Sequence, residues 1–230
     1  MCSLYPSKWK TSRICPIFKK GDRQNVENYR PISILNVFSK CFEIVLCDRL
    51  FFHIKSDIVP EQHGFVRGRS TVTNLTTFTS YVTDSFDRKA QVDTIYFDFS
   101  SAFDLVNHSM LILKLYQNFD IPLHLLLLLK SYLSDRSQFV TLNGVFSKCF
   151  NVFSGIPQGS NLGPMLFTLF INDLPDYLQH SKVLIFADDV KIFKRINDED
   201  DVEALQSDID SIIEWSETNK MKLNQRPLYY

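Results

Sequence analysis

Asp188 and Asp189 are adjacent carboxylates at the centre of Phe186-Ala187-Asp188-Asp189-Val190, between two short apolar runs. Held at a tight turn they repel each other, and either solvent or a divalent cation must absorb that repulsion. Taken alone, an Asp-Asp turn is usually the tip of a solvated hairpin. Asp98 changes the reading. It comes late in Tyr96-Phe97-Asp98-Phe99, an apolar run where an unpaired carboxylate is costly to bury. A third carboxylate beside the pair makes an oxygen-rich site of the kind hard Mg²⁺ favours, with waters and phosphate oxygens completing the shell.

A second concentration of unusual residues is a loop. The chain has only 7 glycines, and three of them, Gly155, Gly159 and Gly163, lie within nine residues in Ser154-Gly155-Ile156-Pro157-Gln158-Gly159-Ser160-Asn161-Leu162-Gly163-Pro164. Such clustering marks backbone that needs positive φ or approaches a ligand closely. A packed turn ahead of a helix is the plainer alternative.

These residues need elements to hold them. Asn36 can cap a helix from Val37 to about Lys55, in which Phe38, Cys41, Phe42, Val45 and Phe52 recur at helical period. A second helix starts after Ser70, with Leu75, Phe78, Val82 and Phe86 on one face. Val92–Phe99 reads as a strand and would deliver Asp98 near its end. Helices follow at about 109–119 and 122–133, with Pro122 in the first turn. Asn143-Gly144 between two apolar runs is a hairpin signal. The glycine loop leads into an apolar helix reaching about Tyr177, and short strands at 183–187 and 190–193 flank the paired aspartates. The last helix runs from about Asp198 to Glu217, with Val202, Leu205, Ile209, Ile212 and Ile213 inward. Strands and helices are mixed without strict βαβ alternation, so the expected class is α+β, helices backing a mainly antiparallel sheet.

Composition sets the outer bounds. With 230 residues, 45% hydrophobic and 22% charged, the chain is an ordinary globular one, which excludes a disordered tail, a collagenous repeat and a coiled coil. The net charge of −1 hides an asymmetry: residues 1–70 carry 12 Lys/Arg against 6 Asp/Glu, and residues 170–230 carry 7 against 13. A basic front and an acidic back suit a polyanion and cations, or are simply two solvated surfaces. The 5 cysteines are odd in number and form no Cys-x-x-Cys, so neither a disulfide framework nor a zinc site is expected. The apolar run Leu125–Leu129 falls far short of the ~20 residues of a membrane span, and the N-terminus has no signal-peptide core. A soluble protein inside the cell is expected.

With these residues in view, the chain resembles the reverse transcriptases of non-LTR, jockey-like retrotransposons. Ile95-Tyr96-Phe97-Asp98-Phe99-Ser100-Ser101-Ala102-Phe103-Asp104 is similar to their motif A, the run from Ser154 through Pro175 to motif B, and Phe186-Ala187-Asp188-Asp189 to motif C. Upstream, Pro16-Ile17-Phe18-Lys19-Lys20-Gly21-Asp22, Asn28-Tyr29-Arg30-Pro31-Ile32-Ser33 and Gln62-His63-Gly64-Phe65 resemble their fingers motifs. Trp215, Asn219, Met221 and Asn224 match the pattern after motif C. The blocks keep the family's order over residues 6 to 224.

The resemblance implies a right-hand polymerase: fingers over 1–90 and palm over 91–230. It implies joining of a deoxynucleoside triphosphate to a DNA primer on an RNA template, with two Mg²⁺ ions, or Mn²⁺ as a substitute. Asp98 and Asp188 would hold both ions, Asp189 would be the weaker member near the primer end, and the Phe99 carbonyl an extra ligand. Phe103 would be the aromatic gate against a ribose 2′-hydroxyl. Gln158 and Gly159 would lie against the incoming nucleotide, and Lys20 (or Lys19) and Arg30 would pair its triphosphate. Gly155, Pro157 and Ser160 would face template and primer. Work at nuclear DNA and synthesis in the cytoplasm leave both compartments open.

The chain also departs from the family. Ser101 stands where the family usually has Lys, and none of Lys220, Lys222 or Arg226 occupies the place of the family's later Lys. On this length neither a thumb nor an endonuclease ahead of the fingers is expected. The expectations are therefore a polymerase core by descent, whether active or an inactive fragment, or a remnant that binds nucleic acid or protein. A carboxylate nuclease ranks last.

Overall fold

The computed structural model describes residues 3–224, so Cys2 and the run 225–230, Arg226 included, lie outside the described residues. In chain order the elements are β1 (Thr11–Phe18), β2 (Tyr29–Ile34), α1 (Val37–Ile54), α2 (Thr71–Asp87), β3 (Gln91–Asp98), α3 (Ala102–Leu105), α4 (His108–Asn118) and α5 (Leu123–Leu133). They continue with β4 (Arg136–Leu142), β5 (Val145–Phe146), β6 (Phe150–Val152), α6 (Gly163–Ile171), β7 (Lys182–Phe186), β8 (Asp189–Ile196) and α7 (Glu199–Thr218). The α+β mixture is as expected. Two compact units interleave in sequence: Met1–Asp57 with Val106–Phe167, and Ile58–Leu105 with Thr168–Tyr230. No described helix is long and apolar enough to cross a membrane.

The first unit holds a five-stranded sheet in the order β2-β1-β4-β5, with β6 also on β4. β1 pairs antiparallel with β2 over Arg13–Phe18 and parallel with β4 over Thr11–Ile14. The parallel ladder stops short of Pro16, which has no N–H to donate. At the tip of the β4–β5 hairpin Asn143 and Gly144 both have positive φ, 50° and 81°, as the expected Asn-Gly turn requires. Leu50, Ile54, Leu111, Leu115, Leu129 and Tyr132 are fully enclosed in this unit.

The second unit holds the antiparallel sheet β3-β8-β7. Phe78 and Tyr81 of α2 stack edge-on against Phe193 of β8, with ring centroids 5.1 and 4.9 Å apart. Trp215 of α7 is fully buried, 5.8 Å from the ring of Phe99, and its indole N–H donates to Asp173 at 3.0 Å. Side-chain caps start the helices where expected. Asn36 accepts from Phe38 N–H, and Ser70 forms a capping box with Thr73. Asp198 accepts from Asp201 N–H. Pro122 is the cap of α5, one place before the first turn.

Three helix faces differ from expectation. In α1 the enclosed residues are Ser39, Glu43, Leu46, Leu50 and Ile54, while Phe38, Val45 and Phe52 face solvent. In α2, Asn74 and Ser85 are buried and Leu75 and Phe86 are exposed. In both helices polar groups with partners occupy the inner face. In α7, Leu205 and Ile212 are buried as expected, whereas Val202 and Ile213 are exposed.

Asp208 of α7 is buried, and its carboxylate accepts three backbone N–H groups, from Gln179 (2.9 Å), His180 (3.0 Å) and Ser181 (2.6 Å). Burial alone would raise its pKa, but these donors outweigh it and hold the carboxyl below its ordinary value. The stabilisation is therefore complete above the unfolded pKa of about 3.9 and is lost as pH falls through the lower folded value. Asp208→Asn should cost about 2–3 kcal/mol at pH 7. Urea melts should show the gap to wild type narrowing as the pH falls below about 3.9, the unfolded value.

Candidate active site

The carboxylates belong to the second unit. Asp98 ends β3 and Asp189 begins β8, and the two are direct partners in the antiparallel register. Directly opposed residues project from the same face with Cβ atoms about 5 Å apart. β7 and β8 are joined by a two-residue turn, Ala187-Asp188, with Phe186 paired to Asp189. Ala187 has φ 58°, which turns the chain sharply enough for Asp188 and Asp189 to follow immediately. The sequence alone left open whether these strands are neighbours; the register makes them so. Asp98 is exposed at the strand end, not enclosed.

The charges feel each other. Partial desolvation, then the carboxylates of Asp188 and Asp98, raise the Asp189 pKa above the ordinary range. A divalent cation relieves that repulsion. Among the described residues no group of three or more His, Cys, Asp or Glu is placed to hold a metal ion by itself. Mg²⁺ does not require one, since it binds through one or two carboxylates and fills its octahedron with waters and substrate phosphates. The donor set fits that ion. A cavity of about 760 Å³ opens beside the carboxylates, with Asp98, Asp189, Tyr96, Lys191, Asn74 and Thr71 in its wall.

Residues 222–224 lie along the end of β3. Ser100 N–H donates to the Lys222 carbonyl, and Asn224 N–H to the Asp98 carbonyl, both at 2.7 Å. In the resulting Phe99↔Leu223 bridge the Phe99 carbonyl points away from the tail. Asn224 Nδ2 also donates to Asp98 Oδ2 at 3.2 Å. Phe103, on α3, is half-buried and meets the ring of Phe65 edge-on, with centroids 6.3 Å apart. Ser101 precedes it in a left-handed conformation, φ 52°.

The remaining candidates belong to the first unit. Arg30 pairs with Ile17 in the β1–β2 ladder, and Lys19 N–H continues the ladder to the Asn28 carbonyl. That alternation puts Lys19 on the Arg30 face, whereas Lys20 lies beyond the strand in the turn. All three are exposed. The glycine loop docks on the outer edge of β2: Ser33 N–H donates to the Gln158 carbonyl at 2.7 Å. At Gly159, with φ 107°, a Cβ would stand 2.9 Å from the Ser33 carbonyl, so only glycine fits. Arg30 and the Gln158-Gly159 backbone are thereby joined through one strand.

Gly155 is buried. Its N–H donates to Val106, and its carbonyl accepts from His108 Nε2 at 2.7 Å. Burial lowers the His108 pKa, outweighing the rise from the Gly155 bond, so a neutral ring with its proton on Nε2 makes this contact. Ser160 is buried too, with Oγ capping Gly163 N–H at 2.9 Å, while Pro157 is half-buried.

Sequence reasoning missed Glu43. Its fully enclosed carboxylate accepts from Asn161 N–H (2.7 Å), Leu162 N–H (3.5 Å), Ser39 Oγ (3.2 Å) and Tyr132 OH (3.1 Å). It thus caps the start of α6 and clamps the far end of the glycine loop. The available signal was an acid in register with Ser39, Leu46, Leu50 and Ile54 on one helix face. Glu43→Ala leaves those donors enclosed without an acceptor and should cost about 3 kcal/mol in chemical denaturation.

Paired antiparallel strands thus present opposed aspartates beside a two-residue turn, in an α+β fold that has solved counterparts. Solved telomerases share it. The apo enzyme of Candida tropicalis truncated from its C-terminal domain aligns over 98% of this chain and 52% of its own, with TM-score 0.63 and 14% identity. The Candida tropicalis enzyme with a fragment of telomeric RNA aligns over 96% and 41%, with TM-score 0.67 and 14% identity. The chain belongs to the reverse transcriptase (RNA-dependent DNA polymerase) family, whose pattern matches residues 17–226. Among its relatives are two from Drosophila melanogaster transposons. The probable RNA-directed DNA polymerase from transposon X-element is 34% identical over 96% of this chain, and the corresponding protein from transposon BS is 37% identical over 75%. The polymerase from mobile element jockey, of the same organism, is 29% identical over 96%. The chain spans only 19–25% of the length of these curated relatives.

Proposed function

We propose that this chain carries the core of an RNA-directed DNA polymerase, which extends a DNA primer from its 3′-hydroxyl with deoxynucleoside triphosphates on an RNA template. The reading is carried by Asp98 facing Asp189 across β3–β8, next to Asp188, in a member of the reverse transcriptase family. Asp98 and Asp188 would hold two Mg²⁺ ions, with Asp189 and the Phe99 carbonyl as supplementary donors. Those ions, or Mn²⁺ in their place, supply charge for the attacking and leaving oxygens of an in-line displacement.

The palm function falls on Ile58–Leu105 with Thr168–Tyr230, and the fingers function on Met1–Asp57 with Val106–Phe167. This partition is interleaved, where a simple cut near residue 90 is linear. In the fingers, Arg30 and Lys19 or Lys20 pair the triphosphate, and the Gln158-Gly159 backbone bears on the nucleotide. Gly155 and Ser160 shape the loop that meets template and primer, and Pro157 offers it surface. In the palm, Phe103 reads the sugar. The setting is the cell interior, cytoplasm or nucleus.

Ser101 favours one other reading, a remnant that binds nucleic acid without synthesis, because it stands within the motif A segment where the family usually carries a cation. Primer extension on a primed homopolymer RNA with Mg²⁺ separates the two. Extension by the wild type and none by Asp188→Asn supports the polymerase. Salt-sensitive RNA binding without extension would replace it with the remnant.

A further inference from the structure

The turn that carries the paired aspartates is held from outside its own hairpin. Residues 61–64 run alongside β7: Ile185 N–H donates to the Glu61 carbonyl at 2.9 Å, and His63 N–H to the Ile185 carbonyl at 2.8 Å, with Gln62 bridged in parallel to Ile185. The Gln62 side chain, only 1% exposed, then reaches past the end of the strand. Its Oε1 accepts two N–H groups, from Gly64 at 2.8 Å and from Ala187 at 3.2 Å. Ala187 is the left-handed residue that makes the turn. Gly64 lies so near that a Cβ there would stand 2.2 Å from Ala187 N and 2.9 Å from Phe186 C.

The segment is itself braced. The Arg69 guanidinium donates to the carbonyls of Val59 and Gln62, both at 2.6 Å, and His63 Nδ1 bonds Thr73 Oγ1 at 2.8 Å. A two-residue hairpin ordinarily turns its first N–H to solvent and can rock about its strands. Here that N–H is enclosed and bound to a side chain whose backbone is fixed at several points. The residue immediately after it is Asp188.

We propose that Gln62 is a positioning residue for the metal-binding turn. Its amide oxygen fixes Ala187, and through it the placement of Asp188 and Asp189 opposite Asp98, while Gly64 permits the approach. This rests on the reading of those carboxylates as a divalent-cation site. Outer-shell partners of metal ligands typically change metal affinity 10–100-fold when removed. Phe65, next in sequence, carries the same segment onward to the ring of Phe103.

The test is Mn²⁺ binding to the whole chain, followed by electron paramagnetic resonance, with no nucleotide or nucleic acid present. Gln62→Met keeps the length of the side chain and removes the acceptor, and should weaken binding about 10-fold. Asp208→Asn costs stability in the same unit without touching the turn, and should leave the affinity unchanged. Equal affinity for wild type and Gln62→Met overturns the proposal, as does equal weakening by Asp208→Asn. Asp98→Asn is the control for the site: if it binds Mn²⁺ like the wild type, the cation-site reading falls and the proposal with it. A variant-free check is amide hydrogen exchange in the wild type. The Ala187 N–H should be strongly protected, and exchange at the rate of an open turn would also overturn the proposal.

Discussion

Asp98→Asn and Asp188→Asn should each abolish Mg²⁺-dependent incorporation on a primed RNA template, by at least ~10³-fold in rate, with the fold intact. Either change removes a full negative charge from the proposed two-cation site, which would cost several kcal/mol of transition-state stabilisation at ~1.4 kcal/mol per factor of ten. The fold should survive because Asp98 is exposed at the end of β3 and Asp188 occupies a turn, so neither supports the core. In Asp98→Asn, carboxylate repulsion at Asp189 falls as well. Circular dichroism and melting temperature should therefore match the wild type while extension disappears. Undiminished extension by either variant would remove that aspartate from the site.

Phe103→Ala should relax sugar selectivity, raising kcat/KM for ribonucleotides relative to deoxynucleotides by about 10²-fold. That is the scale on which a packed apolar surface discriminates one added hydroxyl. Phe103 is half-buried on a single-turn helix directly after Ser101, and its ring is fixed edge-on by Phe65, whose own backbone is left-handed at φ 60°. A ring held in this way can exclude by shape. Removing it should change the preference between sugars much more than the rate with the cognate one. Unchanged selectivity in competition assays would reduce Phe103 to a packing residue.

The carboxylates were legible because their signals are local. Asp98 ends an alternating run, and Asp188-Asp189 interrupts two apolar ones. Their partnership was not legible, because the register of β3 on β8 is set by a pairing across some ninety residues of chain. β1 and β2 went unread for a different reason: Pro16 and Pro31 demote any run that contains them, and here the two lie opposite each other in the ladder. In α1 large apolar residues lie on both faces, Phe38, Val45 and Phe52 outside and Leu46, Leu50 and Ile54 inside, where Ser39 and Glu43 share the enclosed face with their hydrogen bonds. Periodicity locates a helix well. It misassigns the buried side when that side holds a satisfied polar network.

The parallel pairing of β1 with β4 has a consequence for synthesis. Thr11 meets Ser137, 126 residues later in the chain. At ~5–20 residues per second, a ribosome takes roughly 6–25 s to deliver the second strand after the first. Through that interval one side of β1 is an open edge, a template for the wrong partner. β3 waits likewise for β8, so when residue 100 has just been added neither sheet is whole. Arg13 and Pro16 stand on the waiting strand, a charge and a missing donor that discourage stray pairing until β4 emerges.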